Sequence, residues 1–129
     1  MAIALVSANA DLNAKIVEFV TAADEVVATY WKAQGFTFSA PPIHRADFLS
    51  DKWVRVVVLE ERNGERKVSS VYAFIALVDN STKALGNVKA GDIHKAATFK
   101  APAKHARGNV FEADFRKALT PHGIVYLKH

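Results

Sequence analysis

The run Trp53-Val-Arg-Val-Val-Val-Leu59, followed beyond Asn63-Gly64 by Val71-Tyr-Ala-Phe-Ile-Ala-Leu-Val78, decides the fold. β-Branched and aromatic side chains crowd both runs, and such residues suit a pleated, packed surface. An Asn-Gly pair meets the positive-φ demand of a type I′ turn, so Trp53–Leu59 and the segment from Val68 to Val78 read as an antiparallel hairpin. Its tip carries Glu60, Glu61, Arg62, Glu65, Arg66 and Lys67, a mixed-sign set that keeps a hairpin end soluble. Both strands are apolar over most of their length, which makes them a central pair with a helix over one face.

That helix lies upstream. From Asn9 to Lys32 the apolar residues Leu12, Ile16, Phe19, Val20, Ala23, Val27 and Tyr30 recur at intervals of three and four, the spacing of a one-sided helix. Ser7 or Asn9 is placed to cap its start, and Gly35 to end it in a left-handed turn. Phe36-Thr-Phe38 reads as a short strand or an exit from the helix. Ser39-Ala-Pro-Pro42 then opens a loop that holds His44, Arg45 and Asp47, with Phe48 and Leu49 pinning it to the core.

Downstream, residues 79–91 form a turn-rich loop with a small apolar island at Leu85 and Val88. Asp92 to Lys100 alternates as a strand, with Ile93, Ala97 and Phe99 inside and His94, Thr98 and Lys100 outside, so that His94 faces solvent or a ligand. Val110-Phe111 anchors the chain, Glu112 to Leu119 reads as a short helix before Pro121, and Gly123 to Leu127 as a closing strand. The expectation is a single α+β domain over residues 1–129, a long amino-terminal helix packed on an antiparallel sheet of about four strands.

Composition agrees with one folded domain: half of the 129 residues are apolar and 23% are charged, unlike a disordered tail. Without cysteine, disulfides and thiolate metal sites are excluded, which suits a reducing compartment. Ala2-Ile-Ala-Leu-Val6 lacks a preceding basic residue and makes a poor signal peptide, and no apolar run is long enough to span a bilayer. The net charge of +4 is unevenly distributed. Residues 1–79 hold eight Lys/Arg against ten Asp/Glu, while residues 80–129 hold nine against three and four of the five His. Mild acidification adds charge to that second part. Such asymmetry points towards a polyanionic partner.

The cations concentrate in Lys100-Ala-Pro-Ala-Lys104-His105-Ala-Arg107-Gly108-Asn109. Pro102 discourages helix before it, and Gly108 and Asn109 tolerate left-handed angles after it, leaving room for one helical turn over Ala103 to Arg107. In that turn Lys104 and Arg107 project from one side, with Lys100 near the entrance. The candidate anion-binding set is Lys95, Lys100, Lys104, His105 and Arg107. Arg supplies a planar fork of donors and Lys a mobile point charge, both suited to phosphate. A solvated basic loop with no ligand is the bland alternative.

The stretch from Val71-Tyr-Ala-Phe through Gly91-Asp-Ile-His-Lys-Ala-Ala-Thr-Phe-Lys-Ala-Pro-Ala-Lys-His-Ala-Arg-Gly-Asn109 to Tyr126-Leu127 resembles a group of small, largely uncharacterised proteins encoded by tailed bacteriophages. The most specific string is Pro102-Ala-Lys-His-Ala-Arg-Gly-Asn109, and the chain departs from the group by inserting Lys83 to Ala90 where a tight turn is expected. The resemblance implies a phage accessory or virion protein acting in the cytoplasm of an infected bacterium, and it supplies no catalytic residue.

Three functions compete. The leading one is a non-enzymatic module that holds the phosphate backbone of a nucleic acid, or another phosphate-bearing ligand, with no cofactor, metal or membrane. Tyr72, Phe74 and Phe99 are its candidate stacking aromatics. Four neutralised phosphates on a single strand would weaken binding roughly fifty-fold from 50 to 200 mM salt. The alternative is a protein-interaction module docking on a host factor, a virion neighbour or a copy of itself through a sheet edge, Trp31, Trp53 and the Pro41-Pro42 loop. An enzyme is the third, and it would require His44, His94, His105 and His122 to converge with Asp47 and Asp92, which no spacing supports.

Overall fold

The structure, a computed structural model, describes residues 10–35 and 40–125. Helix α1 (Ala10–Ala33) turns its Leu12-Ile16-Phe19-Val20-Ala23-Val27 stripe inward, as the three-four spacing requires. It ends where Gly35, at φ 74°, adopts the left-handed conformation expected of it. The proposed caps Ser7 and Asn9 and the Phe36–Phe38 segment lie outside the described residues.

The sheet elements follow in chain order: β1 (Ile43–Phe48), β2 (Trp53–Arg62), β3 (Glu65–Ala76), β4 (Asn80–Thr82), β5 (Gly86–Val88), β6 (Asp92–His94), β7 (Gly108–Asn109), β8 (Leu119–Thr120) and β9 (Gly123–Ile124). The main sheet has five strands in the order β1-β2-β3-β6-β7, and its pairings are all antiparallel. β4-β5 and β8-β9 are separate two-stranded ribbons. The β2–β3 hairpin turns at Asn63 (φ 53°) and Gly64 (φ 80°), the two consecutive positive-φ residues that a type I′ turn demands.

The segment expected as a loop around His44, Arg45 and Asp47 is strand β1. All six of its residues pair with β2, from Ile43↔Leu59 to Phe48↔Val54. Its own composition is weakly strand-like, and the apolar edge of β2 imposes the conformation. His44 and Ala46 are buried and Phe48 is partly buried against the same core.

The helix-side core joins Leu12, Ile16 and Phe19 to Val54, Val56, Tyr72 and Ile75. The β2–β3 register slips between Val56 and Val57, so that Val56 opposes Ala73 while Val57 opposes Val71. Tyr72 is the extra residue of a bulge, and the bulge turns its ring to the helix side, where it meets Phe19 edge-on at 6.1 Å. On the opposite face Trp53 lies edge-on to Phe74 at 6.3 Å, and Val57 and Phe74 are fully buried outside the helix-side cluster.

Downstream of β3 the local expectations are corrected in length. The strand expected over Asp92–Lys100 stops at His94; Ala97 and Phe99 are exposed, and His94, expected outside, is 1% exposed. The helix expected over 112–119 is a single 3-10 turn, Phe115–Ala118. Of the closing strand, Gly123–Ile124 pairs with β8, and residues 126–129 lie outside the described part. Residues Lys83–Ala90 contribute β5 to the β4-β5 ribbon, within the stretch expected to be a loop.

Candidate nucleic-acid interface

Beyond β6 the chain doubles back as a small hairpin. Ala96 bridges to Pro102, the amides of Ala97 and Thr98 donate to Ala101 O, and Ala103 N donates to Lys95 O at 2.7 Å. Thr98 Oγ1 accepts from the amides of Lys100 and Ala101, each at 3.1 Å, which is how a Thr hydroxyl closes a tight turn. Thr98, Phe99 and Lys100 therefore form a shaped, exposed tip.

Two side chains hold this hairpin on the sheet. His94 Nδ1 lies 2.7 Å from Ala103 O. A carbonyl only accepts, so Nδ1 carries the proton and donates. The His94 ring also packs edge-on against Trp53 at 5.2 Å. Arg55, from β2, donates through Nη1 to Phe99 O at 3.0 Å, and its guanidinium carbon lies 4.3 Å from the centre of the Phe99 ring, within cation–π range. Phe99 remains 48% exposed.

The helical turn expected over Ala103–Arg107 does not form. His105 takes the left-handed conformation at φ 73°, and Gly108 and Asn109, expected to supply it, are strand β7. Arg107 N donates to Ile93 O at 2.7 Å, carrying the chain directly from a bend into the sheet. At the neighbouring crossover Gly91 is obligatory. Its φ is 89°, and a Cβ there would stand 2.8 Å from Asn109 Oδ1 and 2.9 Å from Phe111 Cδ2.

The five candidate residues separate into two groups. Lys100, Lys104 and His105 are exposed. Neither they nor Arg107 forms an ion pair with a carboxylate among the described residues. Lys95 and Arg107 turn instead to successive carbonyls at the carboxy-terminal ribbon: Lys95 Nζ donates to Ile124 O at 3.0 Å and Arg107 Nη1 to Val125 O at 3.2 Å. Both are half-buried. Of the aromatics, Tyr72 and Phe74 are core residues at 3% and 0% exposure, leaving Phe99 as the accessible ring. Arg55 was missed by sequence reasoning. Its position as a charge inside an apolar strand was the available signal, because an Arg amid valines needs an acceptor or an aromatic face.

The imagined acid–base residues are dispersed or engaged elsewhere. Asp47 accepts from Arg45 at 2.7 and 2.9 Å, an ion pair that raises the guanidinium pKa further above its ordinary value. Asp92 accepts from Lys89 N and from Asn109 Nδ2, which secures the β6-β7 crossover. His44 pairs with Asp24 of α1, a residue outside the expected set. No group of three or more His, Cys, Asp or Glu suited to a metal ion occurs among the described residues. No described helix is long and apolar enough to cross a membrane.

A small α+β domain built on an antiparallel five-stranded sheet, with a basic hairpin over one sheet face, is the class that fold and surface define. By sequence the chain belongs to a family of unknown function, DUF7717, which matches residues 48–122, more than half of its length. The match begins at the end of β1 and takes in the sheet core, the basic hairpin and the β8-β9 turn. Comparisons with curated proteins and with solved structures find no match.

Proposed function

We propose that the Ala96–Arg107 segment binds the phosphate backbone of a single-stranded nucleic acid. Lys100, Lys104 and His105 meet the phosphates, and Phe99 offers its ring to a base. Lys95 and Arg107 act one step back, holding the segment against the carboxy-terminal ribbon. The observation that carries this reading is the tip itself: an accessible aromatic ring backed by the Arg55 guanidinium at 4.3 Å and followed directly by Lys100. Single-strand binders combine these two elements, a stackable ring and backbone-tracking cations. The phage resemblance suggests the setting, an accessory or virion protein in the cytoplasm of an infected bacterium.

With Lys95 and Arg107 engaged, two or three phosphates are neutralised, not four. The log–log salt slope on oligo-dT is then about −1.4 to −2.1, so affinity falls about seven- to eighteen-fold between 50 and 200 mM salt. Anisotropy titrations at both salt concentrations measure it. The Lys100→Ala/Lys104→Ala double variant abolishes binding while its stability stays within about 0.5 kcal/mol of the parent, as is usual for exposed substitutions. Absence of binding at low salt, or affinity indifferent to salt, refutes the reading.

The docking alternative, on a host or virion protein, has one specific support. Residues 61–70, the outer part of the β2–β3 hairpin, are exposed on both strands, and Val68 is 40% exposed there. Trp53 drops out of that surface because it packs on Phe74 and His94.

A further inference from the structure

Away from the basic hairpin, α1, β1, β2, β3 and the β8-β9 turn line an open pocket of about 250 Å³. Val27, Pro42, Val58 and Pro121 supply apolar wall, and His44, Glu60, Ser70 and His122 supply the polar groups. For scale, a dry protein cavity of about 150 Å³ accommodates benzene, so this volume suits a molecule of roughly ten heavy atoms.

His44 sets the chemistry. Asp24 Oδ1 accepts both from the His44 backbone amide at 2.8 Å and from its Nδ1 at 2.7 Å. A carboxylate only accepts, so Nδ1 bears the proton, and in the neutral ring Nε2 is left as a bare acceptor. The His44 side chain is fully buried, and Nε2 has no hydrogen-bond partner among the described residues. Tyr72 fixes the ring edge-on at 4.6 Å, and its own hydroxyl is committed to Thr120 O at 2.7 Å, so it cannot satisfy Nε2. Buried acceptors are nearly always paired, and one held in a fixed tautomer at a pocket wall calls for a donor. Glu60 adds a second acceptor and a negative charge at the same pocket, which disfavours anions. His122 rests edge-on against Tyr30 at 4.9 Å, which holds the far wall in place.

We propose that this pocket binds a small neutral or cationic heterocyclic amine, its apolar faces on the Val27-Pro42-Val58-Pro121 walls and an N–H donated to His44 Nε2. Apolar walls with acceptors at the edges fit a ring whose faces are apolar and whose rim carries donors. His44 Nε2 is itself buried, so seating the donor requires a neighbouring side chain to move aside. The proposal is independent of the basic hairpin, since it selects against phosphate.

The test titrates the whole protein with 2-aminobenzimidazole and adenine, with benzoate as the anionic control, following backbone amides and histidine ring nitrogens by NMR. Saturable binding of both amines at millimolar concentration or below is expected, with the His44 Nε2 resonance moving and benzoate giving no response. Because replacing buried His44 risks the fold, the exposed Ser70→Trp variant fills the pocket instead, and Glu60→Gln removes the charge. S70W loses at least tenfold in affinity with an unchanged folded spectrum, and E60Q weakens 2-aminobenzimidazole several-fold. The proposal is overturned by no saturation with either amine at 10 mM (a concentration of about ten times a weak Kd), by binding that S70W leaves intact, or by equal binding of benzoate.

Discussion

The two faces of the sheet each bury a histidine, and they are closed by different means. On the helix side His44 gives its Nδ1 proton to Asp24, a carboxylate carried by a 24-residue helix that packs independently of the contact. On the other side His94 gives its proton to Ala103 O, a main-chain group of the very segment it holds down. One histidine is oriented by a scaffold; the other creates the scaffold for its own cover. The helix is docked by a continuous apolar stripe, whereas the basic hairpin is docked by a few polar contacts, from His94, Arg55, Lys95 and Arg107.

The largest expected effect tests whether the second face is a core at all. Phe19 and Phe74 are both fully buried, one on each side. Phe19→Ala and Phe74→Ala should each cost about 3–5 kcal/mol in urea unfolding, the usual range for a buried Phe. A cost below about 1 kcal/mol for F74A alone would break the symmetry and make the hairpin a loose cover.

A smaller effect separates the two faces. His94→Ala strips the donor from Ala103 O and should cost about 1–3 kcal/mol, the penalty for an orphaned buried acceptor. Hydrogen exchange at the Ala103 amide, bonded to Lys95 O, should accelerate in H94A and remain slow in Tyr72→Phe, a milder change on the helix side. Equal protection in the two variants would show that His94 does not anchor the hairpin.

The smallest effect concerns the bulge residue between the faces. Burial pushes the Tyr72 phenol well above its ordinary pKa, and the proton it donates to Thr120 O is one the phenolate could not supply. The folded state therefore holds the Tyr72 proton more tightly than the unfolded chain. The resulting stability is complete below pH about 10, the ordinary tyrosine value, and declines as pH rises beyond it. Tyr72→Phe should cost about 0.5–1.5 kcal/mol near neutrality through the lost hydrogen bond. It should also flatten the alkaline limb of the stability curve, and an unaltered limb in Y72F would assign that limb to other groups.

These contrasts explain what could be read in advance. The helix stripe and the Asn63-Gly64 hairpin were legible because each is a local period or a local turn rule, satisfied within a few residues. Strand β1 was not, since its conformation comes from pairing with β2. His94 was placed outside by alternation from Ile93, and alternation identifies a solvent side only where one face of the sheet is open. Here both faces are covered. The basic string was visible as charge, but its division into outward and inward cations was not: the acceptors of Lys95 and Arg107 lie 29 and 18 residues further along the chain.

By itself, then, the order of residues determined an α+β domain, its long helix, its central hairpin and the concentration of cations in its last third, because periodicity, turn chemistry and charge are properties of neighbours in the chain. Only the tertiary structure decided which cations face water, which histidine pairs with which acceptor, and where the pocket lies. Those outcomes depend on groups far apart in the chain, as Tyr30 and His122 are at the pocket, and no local rule specifies the partner at that distance.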